Sequence, residues 1–257
     1  MVYDYNGLKV WYEVFGSGEQ NVLTLHGWGG CIDSFKPAIN SLSRTGRVFS
    51  LDFPGHGKTA EPPTPWSVTE YMQMTEAFIR DVIGGHTDIV AHSFGCRGAI
   101  LLSAEHPELV NRMVLTGAAG IPSKKTGKKT FKSRLYKTLK RLVLSASAKK
   151  VLGEKTTDKL QEALIQKFGS PDYRVLSKNM RMTFNRVIAQ DLTGKLKDIQ
   201  ASVILLWGEN DTETPLWMGQ IMEKEIRDCA LVKLNGGHFA YLDDFGKFIA
   251  VTESFLN

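Results

Sequence analysis

The chain is poor in cysteine, with three among its 257 residues: Cys31, Cys96 and Cys229. An odd and widely spaced set offers neither a disulfide framework nor metal-ligand spacing, and it fits a reducing compartment. No stretch approaches the roughly 20 apolar residues that cross a bilayer. The opening MVYDYNGLKV has neither a basic segment nor an apolar one, so no export signal is expected and a cytoplasmic setting is. No internal repeat is visible. One long stretch lacks acidic residues: from Lys124 to Lys150 there are 11 Lys/Arg and no Asp or Glu.

That gap belongs to a wider asymmetry. Between Ile121 and Asp198 stand 20 Lys/Arg and 6 Asp/Glu, a net of +14, while the rest of the chain has 12 and 21, a net of −9. The simplest reading is a solvated basic face. The alternative is a surface that attracts anionic substrates or makes weak contact with an acidic membrane. The lysines match no nucleic-acid module, so no nucleic-acid partner is expected. The remaining composition, 42% hydrophobic and 23% charged, is that of a globular protein long enough for a sizeable core.

Short apolar runs alternate with helical periodicity along most of the chain. LKVWYEVF, NVLTLHG, RVFSLDF, HTDIVAHS, NRMVLTG, ASVILLWG and CALVKL read as strands. VTEYMQMTEAFIRDVI, GCRGAILLSAEHPELV, LWMGQIMEKEI and DDFGKFIAVTESFLN read as helices. This predicts an α/β fold, a mostly parallel sheet flanked by helices. Between Pro122 and Asp198 no strand is evident. Phe131, Leu135, Leu139, Leu142 and Val143 fall on one helical face, and helical material follows from Thr157 to Phe168 and from Asp172 to Asp191. The expected organisation is a core of residues 1–120 and 199–257, interrupted by a helical cap, 121–198, that acts as a lid.

The stretch VAHSFGCRGA places Ser93 between a strand ending near Val90 and a helix beginning near Cys96. A sharp turn there lifts the hydroxyl above the carboxyl edge of the sheet, where open α/β sheets bind ligands. Such a turn needs small residues on either side, and Ala91 and Gly95 supply them. A serine hydroxyl attacks poorly near neutral pH unless a base takes its proton and an acid orients the base. His238, in the loop NGGHFAYLDD, and Asp211, in LLWGENDTETP, both follow strands and share that edge. Glu209, Asp243 and Asp244 are rival acids. His26 and His56 read as loop-holding residues, His92 as packing beside the turn, and His86 and His106 as surface residues. Cys96 reads as a small core residue. Trp207, Phe239 and Tyr241 either line a pocket or fill the core.

These motifs resemble the α/β-hydrolase fold superfamily, specifically its capped, esterase-like serine hydrolases. The nucleophile turn, usually G-x-S-x-G, stands here as Ala91-His92-Ser93-Phe94-Gly95. The HG loop is His26-Gly27-Trp28-Gly29-Gly30, and D-x-P-G-H-G is Asp52 to Gly57. The acid loop is Gly208-Glu209-Asn210-Asp211, and the base motif Gly237-His238. The resemblance implies a catalytic triad of Ser93, Asp211 and His238. It implies oxyanion donors at the backbone N–H groups of Trp28 and Phe94, and no metal or organic cofactor. The expected activity is cleavage of an ester or similarly activated acyl compound, a small-molecule acyl substrate, through an acyl-enzyme. A carbon–carbon bond hydrolase of diketone-like substrates would use the same three residues. Its usual tryptophan after the histidine and proline in the oxyanion loop are absent from Phe239-Ala240-Tyr241 and Trp28-Gly29-Gly30. Epoxide hydrolases and haloalkane dehalogenases need an aspartate where Ser93 stands. A non-catalytic binding protein on the same fold is the reading from a different class.

Overall fold

The computed structural model describes residues 1–123, 141–143, 150, 153–169 and 171–257. Its strands are β1 (Val2–Tyr5), β2 (Leu8–Phe15), β3 (Asn21–Leu25), β4 (Arg47–Leu51), β5 (Thr87–His92), β6 (Val110–Thr116), β7 (Ser202–Gly208) and β8 (Cys229–Leu234). They form one sheet in the order β1-β2-β4-β3-β5-β6-β7-β8. The pairs β1–β2 and β2–β4 are antiparallel, and every later pair is parallel. β1 was not foreseen: VYDY is short and half polar.

The apolar runs are continuous because both faces of the sheet are covered, and alternate residues enter different cores. Leu23, Ile89, Ala91, Met113, Leu115, Leu205 and Trp207 pack on one side. There they meet helices α2 (Val68–Phe78) and α3 (Phe94–Glu105). Val22, Val90, Val114, Ile204 and Leu206 pack on the other side with Phe248 and with Ile39 of helix α1 (Lys36–Leu42). Helix α2 opens with a capping box, in which the Ser67 N–H donates to Glu70 Oε2 (2.6 Å) and the Thr69 N–H to Ser67 Oγ (3.2 Å). The helix expected through Ile83 widens after Phe78 into a π turn, Ile79–Ile83, which stops at Gly84 with φ 80°. Helix α3 starts two residues before the expected Cys96, directly after Ser93.

Contacts divide the chain into two units, residues 1–122 with 182–257, and residues 123–181. In the second unit, the Arg181 guanidinium donates to Glu162 Oε1 (3.0 Å) and to the Arg174 carbonyl (2.7 Å). This tethers helix α4 (Glu154–Phe168) and the short α5 (Pro171–Val175) to the start of α6 (Lys178–Ala189). The division lies inside the expected 121–198 insertion. Residues 182–198 pack with the core because Val187, Leu192 and Leu196 are buried in the same apolar cluster as α3. The Leu192 N–H also donates to the Gly120 carbonyl (2.9 Å), and the Trp66 N–H to Thr183 Oγ1 (3.1 Å). The basic, amphipathic stretch around Phe131, Leu135 and Leu139 lies outside the described residues. Beyond the sheet, α7 (Leu216–Glu225), α8 (Ala240–Asp243) and α9 (Phe245–Leu256) complete the chain, the last being the expected closing helix and α8 a short turn of helix before it. Among the described residues no helix is long and apolar enough to cross a membrane.

Candidate active site

Ser93 follows the end of β5 at His92 and caps α3 with φ 48° and ψ −107°. Asn6 is the other non-glycine residue at positive φ among those described. Such a conformation costs of order 1–3 kcal/mol and persists only where neighbours hold it. The Ser93 N–H donates to the Thr116 carbonyl (3.0 Å), and the Ser93 carbonyl accepts from the N–H groups of Cys96 and Ala119 (both 3.2 Å). Gly95 is required by space. A Cβ there would lie 2.2 Å from the Leu25 carbonyl oxygen.

The turn aims the serine at the loops after β7 and β8. Ser93 Oγ lies 2.8 Å from His238 Nε2, and His238 Nδ1 lies 2.9 Å from Asp211 Oδ2. Both partner side chains are buried. Asp211 Oδ1 accepts from the N–H groups of Glu213 (2.8 Å) and Thr214 (2.9 Å). Burial opposes ionisation of Asp211, but the hydrogen bonds from His238 and Thr214 outweigh it and hold the carboxyl below its ordinary range. Thr214 was not foreseen. Its Oγ1 lies 2.9 Å from Asp211 Oδ2, 3.0 Å from the Gly117 carbonyl and 3.2 Å from His238 Nδ1. Trp207, fully buried, donates its indole N–H to the Thr214 carbonyl (2.7 Å). The exposed Glu213 carboxylate approaches His238 Nε2 to 3.7 Å. The rival acids are elsewhere. Glu209 pairs with Lys233, Asp243 accepts from the Gly237 N–H, and Asp244 accepts from the Asn235 N–H.

The histidines outside this line act as struts. His26 Nε2 accepts from the Phe53 N–H (3.0 Å), so its Nδ1 carries the proton and donates to the Gly27 carbonyl (2.8 Å). That ring joins the loop after β3 to the loop after β4. Asp52 joins them again, accepting from the N–H groups of Ile32 (2.7 Å) and Lys58 (2.8 Å). Burial pushes His26 down to about 3 and His56 to about 4, so both are neutral. His92, pushed by burial to about 4, donates Nε2–H to the His238 carbonyl (3.0 Å). Gly27 is held close to this region: a Cβ there would meet His92 Nδ1 at 2.7 Å and Ser93 Cβ at 3.5 Å. The adjoining Trp28 packs edge-on against His56, Phe94 and Phe184. The Gly30 N–H closes a turn onto the Gly27 carbonyl (3.0 Å), leaving the Trp28 N–H out of it. Phe94 opens α3, so its N–H has no helical acceptor.

Phe239 is 51% exposed beside the His92 and His238 rings, as a pocket-lining residue would be, whereas Trp207 and Tyr241 are buried and belong to the core. Cys96 is buried, and burial raises its thiol, which suits a core residue. His86 is exposed, but His106 is half-buried against Glu76 (3.3 Å) rather than free on the surface. Among the described residues no three His, Cys, Asp or Glu side chains converge as metal ligands.

A model of the alpha/beta hydrolase family matches residues 22–251. The chain is 26% identical over 271 residues to a 2-hydroxy-6-oxononadienedioate/2-hydroxy-6-oxononatrienedioate hydrolase of Burkholderia vietnamiensis, covering 100% of this chain and 93% of that one. It is 27% identical over 266 residues to a pimeloyl-[acyl-carrier protein] methyl ester esterase of Nitrosospira multiformis, covering 95% and 96%. In structure it resembles an esterase from Exiguobacterium antarcticum, with a TM-score of 0.74 at 21% identity over 98% of this chain and 96% of that one. The parallel sheet, the loops at its carboxyl edge and the match over nearly the whole chain lead to one conclusion: this protein belongs to the alpha/beta hydrolase family.

Proposed function

We propose that the chain is a serine hydrolase acting on an ester or similarly activated acyl compound. The observation that carries this reading is the unbroken hydrogen-bonded line from Ser93 Oγ through His238 to Asp211, starting at a backbone-strained serine. Ser93 attacks the substrate carbonyl while His238 Nε2 takes its proton. Asp211 fixes the tautomer with the proton on Nδ1 and stabilises the imidazolium. Charge developing on the carbonyl oxygen is met by the N–H groups of Trp28 and Phe94, each worth about 3 kcal/mol in comparable sites. His238 then returns its proton to the leaving alcohol, an acyl-enzyme remains, and water attacks it by the same route.

The second reading, cleavage of a carbon–carbon bond in a diketone-like substrate, draws on the full-length similarity to the dioate hydrolase. Glu213 favours the ester reading. Its carboxylate beside His238 Nε2 sets negative charge next to the reacting centre, which disfavours a substrate carrying a carboxylate there. A fluorophosphonate probe should label the native protein at Ser93 and leave Ser93→Ala unlabelled. p-Nitrophenyl esters of graded chain length, assayed beside a vinylogous diketone, rank the two chemistries. Labelling that survives in Ser93→Ala would overturn the assignment of the nucleophile. Absence of both labelling and turnover would favour a binding protein.

A further inference from the structure

Thr214 stands where the loop after β7 meets the loop after β6, and its hydroxyl faces more acceptors than it can serve. Asp211 Oδ2 and the Gly117 carbonyl can only accept, and both lie within 3.0 Å of an oxygen that carries one proton. The hydroxyl therefore donates to one of them at a time. His238 Nδ1–H has the converse choice. It reaches Asp211 Oδ2 at 2.9 Å and Thr214 Oγ1, whose lone pairs accept, at 3.2 Å. The Thr214 backbone does not move to resolve this. Trp207 fixes its carbonyl and Asp211 Oδ1 fixes its N–H. The side chain is buried, and nearby Gly117, at φ 50°, leaves little slack: a Cβ there would lie 3.3 Å from His238 Nδ1 and 3.4 Å from Asp211 Oδ2.

Resting on the triad reading above, we propose that Thr214 is a positioning residue whose hydroxyl proton swings between Asp211 Oδ2 and the Gly117 carbonyl as His238 gains and loses charge. With the hydroxyl on Asp211, the carboxylate shares its charge with a second donor and is a weaker partner for the imidazolium. His238 Nε2 then faces the serine proton it is to take. When that proton arrives, rotation onto Gly117 frees Asp211 Oδ2 and turns a lone pair of Thr214 toward Nδ1–H. The charged histidine is thus held more tightly in the transition state than the neutral one is in the ground state, which is the difference that accelerates a reaction. No covalent bond is made or broken at Thr214.

Among the described residues few titratable groups face His238, so the acid limb of the pH profile is a usable readout. Asp211 and Glu213 face it from the acid loop. His92 faces it from β5 and is neutral in the working range, and Asp243 lies on its own loop against Gly237. The experiment compares Thr214→Val, which keeps the shape, with Thr214→Ser, which keeps the hydroxyl. Both are followed by kcat/KM for a neutral p-nitrophenyl ester and by the rate of fluorophosphonate labelling, each from pH 5 to 9. The expected result for Thr214→Val is an acid limb moved down by about one pH unit, because the charged histidine loses an acceptor that the neutral one does not use. Its kcat should fall about tenfold, and Thr214→Ser should restore both. If Thr214→Val does not fold, Thr214→Ala against Thr214→Ser isolates the hydroxyl, because both lack the methyl. An acid limb unmoved without the hydroxyl, in an enzyme that still labels at Ser93, overturns this inference alone. Full turnover in Ser93→Ala overturns the triad reading beneath it.

Discussion

Asp211 is tied by four hydrogen bonds from three residues, and this makes it the best single position at which to separate geometry from charge. Asp211→Asn keeps the shape but presents an amide N–H where Nδ1–H needs an acceptor, so His238 takes the wrong tautomer. By analogy with other triads, turnover is expected to drop by up to about 10⁴-fold with the fold intact by circular dichroism. Near-normal turnover would move the acid to Glu209, Asp243 or Asp244. Glu213 calls for a gentler test. Its carboxylate is exposed, so water screens it, and Glu213→Gln is expected to raise kcat/KM for a carboxylate-bearing ester only a few-fold, with less effect on a neutral one. Equal changes for both esters would show that this charge does not select substrate.

Helix α3 carries two glycines with opposite requirements. A Cβ at Gly95 would collide with the backbone of Leu25, which cannot yield without moving β3. A Cβ at Gly98 meets nothing within 4 Å. Gly95→Ala is therefore expected to cost about 3 kcal/mol or more, and Gly98→Ala to stabilise by up to about 1 kcal/mol through helix propensity. Urea unfolding of the two variants checks both signs. The same element shows what can be read from a sequence. The strand, the turn at Ser93 and the small residues around it were legible, because sterics dictate them locally. The start of α3 at Phe94 was not, since aromatic residues fit a strand or a helix equally well. Thr214 and Trp207 were hidden for another reason. A threonine three residues after an aspartate also suits an ordinary Asx turn, and a tryptophan at a strand end suits any core. The role of Thr214 depends on Gly117, 97 residues away in the chain, and that of Trp207 on the Thr214 carbonyl it holds. Where residues 182–198 pack is not legible either, since Val187 and Leu192 have a helical pattern whichever unit they face.

For the molecule as a whole, three buried histidines link stability to pH. His26, His56 and His92 are held neutral down to about 3, 4 and 4, against an ordinary value near 6.5. Above 6.5 neither the folded nor the unfolded chain protonates them, and their contribution is complete. As pH falls from 6.5 toward 4, the unfolded chain takes protons that the folded one refuses. Stability is then lost at about 1.4 kcal/mol per pH unit for each histidine, approaching about 4 for the three. Urea unfolding between pH 7 and 5 should show that slope. His56→Phe, which suits the stack with Trp28 and Phe94, should remove about a third of it. An unchanged slope would mean that His56 is protonated in the fold. The charge asymmetry is tested separately. Changing Lys124, Lys125, Lys128 and Lys129 to Gln is expected to leave kcat/KM for a neutral ester within about twofold. Loss of binding to acidic vesicles at low salt would give these charges a recruiting role, and unchanged vesicle behaviour would leave them as solvation.

The hydrogen bond from Leu192 to Gly120 has a consequence for how the chain folds and changes over time. It closes a loop around everything between those two residues, and β6 pairs with β7 immediately beyond it. The entropy of closing such a loop grows only with the logarithm of its length, about 0.6 kcal/mol for each doubling. Lengthening, shortening or exchanging residues 123–181 therefore barely alters the closure entropy of the sheet, provided Gly120 and Leu192 can still meet. Grafts that exchange this segment should therefore be joined at the latch, where the Leu192 N–H meets the Gly120 carbonyl.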